Sequence, residues 1–308
     1  MEVFLAAVVV AAMPILFATL GELLSEKAGN LNLGVEGMMY MGAIIGFKAG
    51  FETGSPFMAV LGAFAAGALG ASIYACITVT LRANQVVTGL TLTIFGTGFA
   101  NFLGRSVSGI PAPESVRAFF APFNIPGMAE LPFFGKVLFQ QSVFVYLGFI
   151  LTIMIAVYLR KTKAGLNLKA VGENAAAADA SGINVTLYKY IHVITGGGLC
   201  GLGGGFMSIV IIPIWQENII AGRGWIAVAL VIFASWKPVK ALLGALVFGG
   251  LSIVGYRLQS IGINVSQYLL DMVPYAATIL IVILSTHKNR REDRGPADLG
   301  NAYFREER

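Results

Sequence analysis

The sequence predicts an all-α, polytopic membrane protein that crosses a bilayer about nine times, within a range of about eight to ten. Three observations predict it. Of 308 residues, 56% are hydrophobic and only 12% are charged, whereas a soluble domain carries roughly 25% charged residues. Mean hydropathy is +0.77. Glycine (38 residues) and phenylalanine (21) are abundant, which suits helices that pack closely in lipid.

The spans follow from apolar runs near the length a bilayer requires, about 20 residues. They cover 3–24, 34–47, 57–81, 86–103, 142–159, 187–213, 225–236, 241–256 and 268–285. The second and seventh are short and are expected to be broken, tilted or part of discontinuous units. The first run has no basic segment ahead of it and reads as a retained span.

Lysine and arginine set the orientation. With the N-terminus outside, 15 of the 21 cations fall inside, and Lys48, Arg105, Arg117, Lys136, Arg223 and Arg257 fall outside. That bias predicts N-out and C-in, which an odd number of spans satisfies. The chain then divides into a membrane domain (1–286) and a polar cytoplasmic tail (287–308), frayed at its end. Within the domain lie a cytoplasmic loop (160–186) and an extracytoplasmic loop (105–141). Pro111, Pro113, Pro122, Pro126 and Pro132 make the outer loop a folded connection rather than a span.

The net charge of +5 comes from short basic runs between apolar segments, so no nucleic-acid partner is implied. Cys76 and Cys200 lie in apolar stretches without a Cys-x-x-Cys pair and read as small buried residues. Enzyme signals are absent. His192 and His287 are the only histidines, and neither a zinc motif nor a Gly-x-Ser-x-Gly elbow occurs. No catalytic residue, metal ligand or bound cofactor is expected. His192 reads as a hydrogen-bonded packing residue. The glycine run from Gly196 to Ser208 lacks the lysine of a phosphate loop. Gly197/Gly201/Gly205 and Gly42/Gly46/Gly50 instead have the spacing that brings helices close together.

Three polar segments remain. In 165–185, Ala175 to Ala178 and Ala180 favour a helix. Glu173 and Asn174 suit its start and Gly182 its end. A short alanine helix buries little by itself, so it either docks on a partner or lies on the protein's own surface. In 19–42, Glu22, Glu26, Lys27, Asn30, Asn32 and Glu36 sit among apolar residues. A lone charge at bilayer depth costs at least ~2.5 kcal/mol, so it faces protein, water or a partner. Two readings are open: a lining of a pathway, or a structural pair such as Glu22 with Lys27. Gly34 and Gly37 would permit a non-helical backbone there. In the fourth span, Gln85, Thr88 and Thr91 share a face, near Asn84 and Thr93, with Asn101 further along. They either line a path for a polar solute or bond neighbouring helices. Asn32, Glu36, Gln85, Thr88 and Asn101 are the pathway candidates.

The stretch GELLSEKAGNLNLGVEGMMYMGA, residues 21–43, resembles the opening of permease subunits of bacterial ATP-binding-cassette importers. The resemblance is to the branched-chain amino acid, ribose and nucleoside permease family, and within it to the simple-sugar and nucleoside type. LKAVGENAAAADASGINV, residues 168–185, is similar to that family's cytoplasmic coupling segment, with Asn174 interrupting the Glu-Ala-Ala pattern and Ala175 where many relatives have proline. The resemblance covers about 14–284. It implies a multi-pass protein of the bacterial cytoplasmic (inner) membrane, with ATP bound by separate ATPase subunits. It also implies a second permease (homodimer or heterodimer), surrounding lipid, and an extracytoplasmic substrate-binding protein or lipoprotein. It assigns ATPase coupling to Glu173, Ala175, Ala176, Asp179 and Gly182. The loops 105–141 and 215–224, with Glu217 and Arg223, become candidate docking surfaces for the binding protein. The rival transport reading is an ion-coupled secondary transporter, which should show inverted repeats and a mid-membrane carboxylate pair. An intramembrane enzyme or a channel is a more distant alternative.

Overall fold

A computed structural model describes residues 2–132, 134–260 and 294–305, with single positions between 266 and 279. The predicted ninth span, 268–285, and His287 therefore lie largely or wholly outside the described residues. The described chain is mostly helical. By length and composition, five helices can cross a membrane. They are α1 (Glu2–Lys27), α3 (Pro56–Ala75, prolonged by a π-helical turn at Cys76–Thr80), α4 (Gln85–Gly104), α7 (Val143–Lys161) and α10 (Val185–Phe206, prolonged by a second π-helical turn at Met207–Ile211). Between and after them come α2 (Val35–Thr53), α5 (Glu114–Phe119), α6 (Phe134–Leu138), α8 (Lys163–Glu173), α9 (Ala175–Ala180), α11 (Arg223–Phe233) and α12 (Pro238–Ser260).

Helix starts follow local capping chemistry. Asn84, Ser142, Thr162, Asn174 and Asn184 each accept an amide of the first turn they precede, at 2.8–3.4 Å, satisfying a donor with no partner inside the helix. Ser55 does the same for α3, with Pro56 at the first helical position.

The helix α10 is the hub, packed on α1, α2 and α3. Its glycines make that possible. A Cβ on Gly67 would lie 2.7 Å from Gly201 Cα, and one on Gly42 would lie 2.6 Å from the Gly201 carbonyl carbon. No side chain fits between these backbones, as the small-residue spacing predicts. At one level Phe17, Phe144 and Phe206 close the core with ring centroids 5.1–6.3 Å apart.

The two runs that looked short have different explanations. The 34–47 run becomes a full helix of 19 residues. Lys48 ends the apolar run but not the helix, because it pairs with Glu52 one turn on at 3.6 Å. The 225–236 run is short in fact: α11 has 11 residues, about 16 Å at 1.5 Å per residue. It is reached by an irregular stretch, 212–222, whose Trp215, Ile219 and Ile220 are buried in the core.

The loop 105–141 is folded, as its prolines suggest. It contains α5, α6 and an antiparallel pair of short strands, β1 (Phe123–Asn124) and β2 (Gln140–Gln141). One end of the bundle gathers this loop, the end of α2 and Glu2. Ser115 donates to Gly54 O at 2.8 Å, and Lys136 pairs with Glu2 at 3.3 Å. The opposite end gathers Lys27, Arg82, α8, α9, Trp236 and residues 294–305.

Two expectations need correction. Cys76 is exposed, because it lies on the outward side of α3, whereas Cys200 is buried. Gly34 and Gly37 do not loosen the backbone: Gly34 has φ −85 and Gly37 is helical. Their small size instead lets α2 meet α4, where a Cβ on Gly37 would lie 2.7 Å from Thr93 Cα. Residues 294–305 of the tail are packed, for reasons given next, and its end, expected to fray, lies outside the described residues.

Candidate functional site

The 163–183 segment forms two helices rather than one. The short helix α9 begins at Asn174, whose side chain accepts Ala177 N at 2.8 Å. It ends at Gly182, with φ +82, where Ile183 N reaches back to Ala178 O at 3.1 Å. That closure needs the left-handed conformation that glycine adopts freely. Ala175 and Ala178 are buried against Val171 and Val185, flanked by Ile183, Tyr188 and Tyr303. Ala176 and Asp179 are half-buried, whereas Glu173 and Gly182 are exposed. One face of the helix therefore lies on its own chain, as one of the two readings allowed, and the other faces outward.

Residues 294–305 hold this segment in place. Asp298 Oδ2 accepts Ala175 N at 2.7 Å, and Asp298 N donates to Gly172 O at 3.0 Å. The Tyr303 hydroxyl donates to Asp179 Oδ2 at 2.7 Å, and Arg305 pairs with the same oxygen at 3.3 Å. Further along, Gly300 N donates to Gly29 O at 3.2 Å and the Phe304 ring lies 4.8 Å from the Arg82 guanidinium carbon. The tail thus straps the α8–α9 segment to the α1–α2 loop and to the start of α4.

The polar belt between α1 and α2 is satisfied largely by backbone. Glu22, fully buried, accepts Asn32 N at 2.9 Å and makes no pair with Lys27. The expected pair fails because the 28–34 loop folds back and presents an amide instead. Lys27 rests over the Trp236 ring at 5.9 Å. Glu26 accepts the Trp236 indole at 2.5 Å. Glu22 Oε2, Glu26 Oε1 and both polar atoms of the Asn30 side chain are buried and find no hydrogen-bond partner among the described residues. Asn32 accepts Gly34 N at 2.9 Å and donates to Met38 Sδ at 3.5 Å. Glu36 accepts Gly222 N at 2.8 Å and Gly224 N at 2.6 Å, so it caps α11 from another helix. Arg223, counted among the outer cations, opens α11 at this point.

The α4 candidates divide. Gln85 is buried, accepts Leu31 N at 2.7 Å and donates to Asn301 O at 3.4 Å. Asn101 is half-buried, with Oδ1 unpartnered. Thr88 donates to Asn84 O at 2.8 Å and lines an open, mostly apolar recess of about 460 Å³ with Thr91, Ile73, Tyr74, Val87 and Phe95. Ile94, Phe102, Val87 and Leu69 are well exposed around it. A contiguous apolar face of this kind meets lipid or another protein.

These features can be set beside known proteins. The family model described as branched-chain amino acid transport system / permease component matches residues 4–282. The chain belongs to this permease family. Three relatives span most of it. The guanosine ABC transporter permease protein of Bacillus subtilis is 36% identical over 91% of each chain. The nucleoside ABC transporter permease protein of Lactococcus lactis is 32% identical over 92% of each chain. A Haloferax volcanii protein named provisionally as a glucose ABC transporter permease is 38% identical over 83% of this chain and 78% of its own. No solved structure matches significantly.

In this permease, then, the coupling candidates lie together and the pathway candidates are scattered. Glu173, Ala175, Ala176, Asp179 and Gly182 share α9 and its borders. Asn32 and Gln85 are linked through the 28–34 loop, and Glu36 faces α11. Thr88 faces outward, and Asn101 sits four turns further along α4. The sequence reading missed the tail contacts, the Glu26–Trp236 bond and the buried Lys189. No local pattern announces them, because their partners lie far away in the chain. His192 behaves as expected, bonded to Tyr158 Oη at 2.8 Å and Tyr188 O at 2.7 Å.

Proposed function

We propose that this chain is the membrane-spanning subunit of an ATP-binding-cassette importer in a cytoplasmic membrane, and that it moves a nucleoside or sugar-like solute inward. The observation that carries the proposal is the near full-length likeness to permeases named for guanosine and nucleosides. The geometry of α9 supports the coupling part. A short, capped helix with one face anchored and Glu173 and Gly182 outward is a surface that a separate ATPase subunit can push. Movement of that helix would switch the bundle between outward and inward openings. The fold in this reading has about nine spans, N-out and C-in. A second permease, identical or related, would cover the apolar α3–α4 face, and the solute would pass beside it. The loops 105–141 and 215–224 would receive an extracytoplasmic binding protein.

The test is co-purification from membranes, followed by reconstituted uptake. A nucleotide-binding subunit should accompany the chain. Glu173→Arg and Gly182→Trp should leave it folded but cut ATP-driven uptake at least about tenfold, as expected for loss of a charged contact at an interface. If no such subunit associates and both variants transport normally, the reading is wrong. Uptake that survives ATP depletion but collapses with the proton gradient would favour an ion-coupled transporter instead. Competition by nucleosides, pentoses and amino acids identifies the solute class.

A further inference from the structure

The strapped end of the bundle contains a cavity of about 430 Å³. Thr78 and Arg82 line it from the α3–α4 turn, Asp179 from α9, Thr186 and Lys189 from α10, and Arg305 from the tail. Among the described lining residues, three cations and one carboxylate meet here. Asp179 is already engaged by Tyr303 and Arg305.

Lys189 is the informative residue. It is only 3% exposed, and among the described residues it makes no ion pair or hydrogen bond. The acidic group acting on it is Asp298, whose Oδ2 is occupied by Ala175 N at 2.7 Å. An enclosed ammonium is ordinarily paired or hydrogen-bonded, and this one lines the cavity. The first turn of α10 lies beside it. Asn184 takes Leu187 N at 3.0 Å, while Val185 and Thr186, whose amides have no acceptor within the helix, line the cavity. A 22-residue helix directs its positive end here.

We propose that this cavity binds a phosphate group, held by Lys189, Arg82 and the α10 N-terminus. The volume admits more than one phosphoryl group, so pyrophosphate and a phospholipid headgroup both fit the chemistry. Occupancy would join the α3–α4 turn to the start of α10 through one ligand. The site stands apart from the transport reading, since binding is read on the permease chain without ATP or solute.

The experiment titrates the full chain in detergent with pyrophosphate at constant ionic strength, following the thermal midpoint and ³¹P line width. Nanodiscs of phosphatidylcholine alone, or with phosphatidylglycerol, separate the two sources. Lys189→Gln should weaken binding about tenfold or more. Thr186→Glu is the second variant. A carboxylate in the first helical turn favours folding while filling the cavity with its own charge, so it should remove the response from a stable protein. Lys48→Gln, at the other end of the bundle, should respond as wild type. A Lys189-dependent response to pyrophosphate in phosphatidylcholine supports a soluble anion. The same dependence on phosphatidylglycerol, with no further effect of pyrophosphate, supports a lipid headgroup. A response that follows ionic strength, that survives both variants, or that is absent with both probes overturns the site.

Discussion

The Glu36 carboxylate receives the Gly224 amide at 2.6 Å, a bond across 188 positions of sequence that starts α11 inside the bundle. With Gly222 N on the other oxygen at 2.8 Å, one side chain replaces the cap that the 212–222 stretch does not supply. Glu36→Gln keeps the size but turns an NH2 group toward a donor. We expect a loss of about 1–3 kcal/mol, the usual cost of a buried polar group left unsatisfied, read as a lower thermal midpoint in detergent. An unchanged midpoint would remove Glu36 from this role.

Trp236 and Glu26 form a second long-range bond, at 2.5 Å, and Glu26 Oε1 finds no donor among the described residues. Trp236→Phe should cost more than the lost ring area, because it strands the carboxylate. Glu26→Leu combined with Trp236→Phe should recover part of that loss, since removing both partners of a buried bond is nearly neutral. A double-mutant cycle measures it. Strict additivity of the two single losses would count against direct coupling.

What was legible in the sequence, and what was not, separates by distance along the chain. Asn174 and Gly182 were readable because a cap and a left-handed glycine act within one turn. Gly197, Gly201 and Gly205 were readable because close helix contact needs small residues four apart. Glu22 was misjudged: Lys27 is its sequence neighbour, but the backbone of Asn32 reaches it first. Lys48 hid the last six residues of α2, 48–53, because hydropathy stops at a charge, while the helix continues through its pair with Glu52. The packing of the tail was not legible, because the tail is polar. Its anchors are a backbone amide at Ala175, a carboxylate at Asp179 and a carbonyl at Gly29, none of which hydropathy detects.

The close approach of α2, α3 and α10 gives a sharper expectation. At Gly201 a Cβ would sit 3.0 Å from both Gly67 Cα and Gly67 N, and nearer still to Ala63 O. Backbone cannot yield there as a flexible side chain could. Gly201→Val should therefore separate three helices and lose the monodisperse peak in size-exclusion chromatography. Gly98→Ala, where a Cβ meets nothing within 4 Å, should elute unchanged.

The strap makes the last prediction. Asp298 supplies the only side-chain acceptor recorded for Ala175 N among the described residues, and its own amide holds Gly172 O. A six-residue helix such as α9 is too short to persist by itself in water. Its order must come from burial of Ala175 and Ala178 and from these tail bonds. Asp298→Ala should then raise amide hydrogen exchange across 175–180 by about tenfold, which corresponds to roughly 1.4 kcal/mol of local stability. The global thermal midpoint should barely move, because the core around α10 is untouched. Truncation after residue 293 should give the larger effect, adding loss of the Tyr303 and Arg305 contacts to Asp179. If exchange at 175–180 is unchanged in both proteins, α9 is held by apolar burial alone and the tail is a passenger on its surface.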